Sequence, residues 1–116
     1  MTDENAIYIV KEDFKRSYEY SVKLKHGDRV IPTEGKESVK GWIWCRSMDG
    51  TEAWVPETII VQKNGKFSVN SDYDSTELTV RKGETVKVLY ENSGWFFCRK
   101  DNKDEGWLPE SILNRL

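Results

Sequence analysis

Apolar and polar residues alternate with a period of two over several short stretches, as in Val22-Lys23-Leu24-Lys25 and Leu78-Thr79-Val80-Arg81, and glycine or polar turns bound each stretch. Successive side chains of a β-strand point to opposite faces, so this pattern predicts half-buried strands rich in β-branched and aromatic residues. No stretch of useful length carries apolar residues at helical spacing. The chain is therefore expected to be all-β.

The pattern occurs twice. Gly41-Trp42-Ile43-Trp44-Cys45-Arg46 is matched 53 residues later by Gly94-Trp95-Phe96-Phe97-Cys98-Arg99. The same register carries Glu52-Ala53-Trp54-Val55-Pro56-Glu57-Thr58-Ile59-Ile60 onto Glu105-Gly106-Trp107-Leu108-Pro109-Glu110-Ser111-Ile112-Leu113. Upstream, Val22 to Val30 matches Leu78 to Val86, with three extra residues before Trp42 in the first copy, and Asp13-Phe14 mirrors Asp72-Tyr73. A stacked array needs three or more repeats, so two copies predict two self-contained modules. About five short strands in each can enclose a core only by bending strongly into a small barrel.

Alternation assigns the interiors. Val22, Leu24, Val30, Ile43, Cys45, Val55 and Ile60 are expected to face inward in the first copy, and Leu78, Val80, Val86, Phe96, Cys98, Leu108 and Leu113 in the second. Trp42, Trp44, Trp95 and Phe97 then face the other way. With Trp54 and Trp107 from the neighbouring strand, Trp44 and Phe97 suggest either an apolar surface patch or a face where one module packs on the other. Pro32 stands where the second copy has Val88 and cannot donate a ladder hydrogen bond, so its strand should end there or run along an edge. The polar run Gln62-Lys63-Asn64-Gly65-Lys66 is read as a short connector, giving modules 5–61 and 67–116 on either side of a 62–66 linker.

Composition narrows the function. Acidic and basic residues nearly balance at a formal charge of −2 with a pI near 5.5, which supplies no basic excess for a phosphate backbone. Two cysteines are too few to staple a secreted scaffold, and as repeat equivalents they are read as small buried apolar residues. Met1 to Ala6 is polar and acidic rather than a basic and apolar leader, and no run reaches membrane-spanning length, which points to a cytoplasmic location. The lone His26 precedes Gly27 at a predicted turn. Without a partnered histidine, a glycine-rich phosphate loop or metal-ligand spacing, neither an enzyme nor a cofactor is expected.

These residues resemble the Src homology 3 (SH3) family, whose members show an ALYDY segment, an ELxF-KKGD segment, a tryptophan pair after a glycine, and a G-x-x-P-x-x-Y-V ending. The second copy is the closer match, with Asp72-Tyr73, Glu77-Leu78-Thr79-Val80-Arg81-Lys82-Gly83-Glu84, Gly94-Trp95-Phe96 and Gly106-Trp107-Leu108-Pro109-Glu110-Ser111-Ile112-Leu113. The likeness covers nearly the whole chain, twice. It implies two tandem SH3-like barrels with grooves that hold extended, proline-rich segments in polyproline II conformation. The groove tryptophan falls on Trp42 and Trp95, the proline on Pro56 and Pro109, and the second ALYDY tyrosine on Phe14 and Tyr73. Ile59 and Ile112 replace the late tyrosine, and Glu12 and Ser71 replace the first ALYDY tyrosine, so the chain is a variant lacking part of the aromatic ridge. The loop after Phe14, Lys15-Arg16-Ser17-Tyr18-Glu19-Tyr20, has no acidic cluster to pair with a ligand arginine, whereas Asp72, Asp74 and Glu77 keep acidity in the second copy.

The function expected from all this is a monomeric interaction module that binds an extended peptide segment of a partner protein. Trp42, Pro56 and Phe14 would share one groove, and Trp95, Pro109 and Tyr73 the other. A structural or regulatory pair, whose aromatic patches pack on each other or on a second copy, is the alternative. Binding of nucleic acid or a modified lysine stands below both, because no basic stripe accompanies the aromatics.

Overall fold

The computed structural model describes residues 6–34 and 39–116. Met1–Asn5 lie outside the described residues, as do residues 35–38 in the stretch that holds the first copy's insertion. The strands are β1 (Ile7–Val10), β2 (Lys23–Leu24), β3 (Arg29–Pro32), β4 (Trp42–Ser47), β5 (Glu52–Pro56), β6 (Ile60–Lys63), β7 (Lys66–Val69), β8 (Tyr73–Asp74), β9 (Thr85–Asn92), β10 (Trp95–Arg99), β11 (Glu105–Pro109) and β12 (Leu113–Arg115). Single 3-10 turns at Glu57–Ile59 and Glu110–Ile112 follow β5 and β11. The fold is all-β, with two SH3-like barrels built on five-stranded sheets of order β5-β4-β3-β7-β6 and β11-β10-β9-β1-β12. As the missing donor of Pro32 requires, β3 stops at that residue, while its counterpart β9 runs on to Asn92.

The two compact units do not follow the repeats. A central unit comprises Tyr20–Ser75, and a terminal unit joins the residues up to Glu19 with Thr76–Leu116. The boundaries expected from sequence, 5–61 and 67–116, therefore give way to an exchange of first strands. β1 of the first repeat lies between β9 and β12 of the second, with Tyr8 opposite both Val86 and Arg115. β7 of the second repeat lies between β3 and β6 of the first, with Phe67 opposite both Val30 and Gln62.

The cause is local. The expected 62–66 connector is a β-hairpin in which Lys63 pairs with Lys66 across a two-residue turn. Asn64 and Gly65 occupy it with φ of 55° and 76°, the left-handed pair that a type I′ turn demands and that Asn-Gly supplies. A turn this tight gives β7 no reach, so β7 must lie beside β6. It thereby fills the place where the first repeat's own opening strand would sit, and β1 takes the equivalent place in the other barrel.

In the terminal unit Val10, Val80, Val88, Cys98 and Leu108 form an interior with at most 1% exposure, and Tyr8 and Phe14 pack against it. Burying Val10 contributes about 1.5–3 kcal/mol, so β1 is an integral part of this barrel. Every core position expected in the second repeat is buried. In the first, Val22, Leu24, Val30, Cys45 and Val55 are buried, while Ile43 and Ile60 are only half-buried.

The returning segment lies against β11. Trp107 N–H donates to the Thr76 carbonyl at 2.8 Å, and Leu78 N–H donates to the Trp107 carbonyl at 3.2 Å. A Cβ on Gly106 would stand 2.8 Å from the Thr76 carbonyl oxygen, which explains the glycine where the first repeat has Ala53.

Candidate functional site

The site residues read from sequence assemble into two constellations, one per unit, and each draws on both repeats. In the terminal unit Asn92 pairs with Trp95 across Ser93 and Gly94, whose φ values of 45° and 88° make a second left-handed turn. That turn delivers Trp95 at the start of β10, directly opposite Pro109 on β11. Glu110 N–H donates to the Gly94 carbonyl at 2.9 Å, fixing the 3-10 turn that follows Pro109. Phe14 arrives from the exchanged N-terminal segment. Its N–H donates to the Val80 carbonyl at 2.9 Å, and Val80 N–H donates back at 2.8 Å. The Phe14 and Trp95 rings meet edge to face with centroids 6.1 Å apart. Phe14, Trp95 and Pro109 are half-buried, so each keeps a face toward solvent, while Ile112 is 3% exposed and belongs to the core beneath.

The central unit repeats this arrangement with Tyr73, Trp42, Pro56 and Ile59. Trp42 lies opposite Pro56, and Glu57 N–H donates to the Gly41 carbonyl at 3.0 Å. Tyr73 on β8 pairs with Leu24 on β2, as Phe14 pairs with Val80 in the terminal unit. Exposure separates the two sites. Trp42 is 8% exposed, Tyr73 is 7% exposed and Pro56 is buried, leaving Ile59 half-buried. The Tyr73 hydroxyl donates to the Trp54 carbonyl at 2.8 Å.

The groove membership expected from sequence is corrected here: Phe14 stands with Trp95 and Pro109, and Tyr73 shares a unit with Trp42 and Pro56. Strand exchange moves the first-strand aromatic of each repeat into the other barrel. The signal that could have shown this is the Asn64-Gly65 pair, read as a connector instead of a hairpin.

Of the two readings left open for the remaining aromatics, the exposed apolar patch is also corrected. Trp44, Phe97 and Trp107 are 6%, 5% and 3% exposed, and Trp54 is half-buried. The rings cover one another. In the terminal unit Tyr90 stacks on Phe97 at 5.0 Å, and Trp107 meets Phe97 edge to face at 5.2 Å, leaving Tyr90 as the outer ring. In the central unit Trp44 meets Trp54 edge to face at 5.1 Å. Mutual ring packing satisfies apolar faces that alternation alone assigns to solvent.

Charges flanking the terminal site are largely engaged. Ser17 N–H donates to Glu77 Oε1 at 2.7 Å, Lys82 N–H donates to Asp13 Oδ1 at 2.7 Å, and Arg16 pairs with Glu19 at 2.7 Å. The acidity of the second repeat is divided: Glu77 serves the terminal unit, while Asp72 and Asp74 lie in the central one, where Asp72 Oδ1 accepts the His26 backbone N–H at 2.8 Å. Burial pushes the Cys45 and Cys98 thiols up to about 11 and about 12. Among the described residues no group of three His, Cys, Asp or Glu side chains is arranged to hold a metal ion, and no helix is long and apolar enough to cross a membrane.

Residues 66–116 match the variant SH3 domain family. The chain is 30% identical over 125 residues to SH3 and PX domain-containing protein 2B of Mus musculus and 29% identical to its Homo sapiens counterpart, alignments that cover 93% of this chain. SH3 and PX domain-containing protein 2A of Danio rerio is 26% identical over 157 residues. The chain spans only 13–14% of the length of these relatives. No solved structure matches it. The family match follows the contiguous second repeat, β7 and β8 included, whereas the compact unit takes its first strand from the N-terminus.

Proposed function

We propose that this chain is a non-catalytic protein-interaction module of the SH3 type that binds an extended segment of a partner protein at the terminal unit. The likeness to the variant SH3 domain and to SH3 and PX domain-containing relatives supports an interaction role. The observation that carries the particular site is the difference in exposure. Phe14, Trp95 and Pro109 present adjoining, half-exposed apolar faces, whereas Trp42, Pro56 and Tyr73 in the equivalent central positions are buried. A ridge of two rings and a proline suits a polyproline II segment, which arrives already ordered and loses little entropy on docking. The protein would act in this role as a cytoplasmic monomer.

The central constellation favours a structural role. Its tryptophan and tyrosine are buried and the Tyr73 hydroxyl is held by the chain, so Trp42, Pro56 and Tyr73 serve barrel stability there.

Titration of labelled protein with a pool of proline-rich peptides, followed at the tryptophan indoles by NMR, tests both assignments. The Trp95 signal should shift while that of Trp42 stays, and Trp95→Ala should weaken binding about tenfold or more, as loss of an interface anchor does. A Trp95 indole unmoved by every peptide in the pool removes the terminal groove as the binding site.

A further inference from the structure

The strand exchange divides the chain into one part that cannot leave its place and one that can. β7 is fixed beside β6 by the Asn64-Gly65 turn. β1 has no such turn, and it reaches the terminal unit only through the segment that precedes Tyr20. Its interactions are made with residues 76–116. Val10 N–H donates to the Glu84 carbonyl, Gly83 N–H donates to the Val10 carbonyl, Lys11 N–H donates to the Ile112 carbonyl, and Leu116 N–H donates to the Ile7 carbonyl. Phe14 exchanges its pair of bonds with Val80, and Ser17 N–H binds Glu77.

We propose that residues 7–19 form an exchangeable segment, which passes from one copy of this chain to another and completes the second copy's terminal barrel. Every bond just named is re-formed when the acceptor is another molecule's residues 76–116, so the closed monomer and the exchanged dimer differ mainly in hinge conformation and association entropy. The tether keeps the closed monomer ahead at low concentration: the segment is joined to residues 76–116 through the central unit, whose ends meet where Ser75 N–H donates to the Val22 carbonyl, so its strand is held at an effective concentration of about millimolar, as by a short linker. Refolding near that concentration lets another chain's segment compete for the open slot between β9 and β12. Phe14 lies in the segment and Trp95 and Pro109 in the acceptor, so an exchanged dimer has a binding ridge built from two chains. That last consequence rests on the proposed groove, whereas the exchange itself does not.

The test uses full-length chains. Ile9 and Asn114 are register partners across β1 and β12, and neither lies in the buried interior, so a cysteine at either position faces its partner without disturbing the core. Ile9→Cys and Asn114→Cys chains are mixed, unfolded, and refolded under mild oxidation at about 10 μM, far below the effective concentration, and at about 1 mM, near it. The expected result is a disulfide-linked dimer of the two variants at the higher concentration only, absent when either variant is refolded alone. Wild-type chain refolded in the same way should show a dimer mass by light scattering. Monomer alone at both concentrations overturns the proposal, and so does a wild-type dimer whose paired variants form no cross-link, because that dimer is held by another surface. Co-refolded Phe14→Ala and Trp95→Ala chains should in addition recover peptide binding that neither has alone. A cross-link without that recovery keeps the exchange and counts against the groove.

Discussion

Cys45 and Cys98 occupy the same repeat position, and both are almost wholly removed from water, at 2% and 0% exposure. Burial disfavours the thiolate and raises their pKa from 9.0 to about 11 and about 12. The unfolded chain therefore gives up these protons first as pH rises. The native state holds more protons than the unfolded state above about pH 9, and stability falls with pH over that range. Urea unfolding between pH 8 and pH 11 should show a steeper loss for the wild type than for a Cys45→Ala/Cys98→Ala chain. Equal slopes would mean that the thiols do not carry the effect. Residue-scale packing also explains the faces that alternation misassigned. Phe96, Phe97 and Cys98 are consecutive and all buried, because Tyr90 and Trp107 cover the side of β10 that alternation leaves to solvent.

At the scale of elements, the Asn64-Gly65 hairpin decides more than any strand. Gly65 has φ of 76° with nothing within 4 Å of a Cβ built there, so substitution meets the backbone penalty and no steric clash. Gly65→Ala should cost about 1–2 kcal/mol, read as a lower urea midpoint with an unchanged denaturant slope. An unchanged midpoint would mean that the turn relaxes at no cost and does not govern strand placement. The other determining element is the Ser93-Gly94 turn, which sets Trp95 at the mouth of its strand beside Pro109.

For the whole molecule, the exchange makes the units unequal in dependence on the N-terminus. The central unit is continuous from Tyr20 to Ser75 and contains β2 to β8, while the terminal unit needs β1 from the far end of the chain. A chain starting at Tyr20 should keep slow amide exchange in the strands between Lys23 and Val69 and lose it between Thr85 and Arg115, since local opening follows lost burial. Loss of protection in both units together would show one cooperative structure. Division of the proposed Phe14, Trp95 and Pro109 ridge between residues 7–19 and 76–116 follows from the same topology, so neither repeat taken alone holds all three residues.

The sequence by itself determined the elements and most of the interior. Period-two alternation and the repeat place the strands, and every expected core position of the second copy is buried, because each follows from side-chain direction within one strand. The pairing of the candidate residues was legible on the same grounds, with Trp95 opposite Pro109 and Trp42 opposite Pro56 as adjacent-strand pairs. Which aromatic joins which pair was decided only in three dimensions. The two first strands carry similar apolar patterns, Tyr8 and Val10 in one and Phe67 and Val69 in the other, so either fits either barrel by side chain alone. The choice fell to chain reach: two residues at Asn64-Gly65 cannot carry β7 away from β6, and that constraint placed Phe14 beside Trp95.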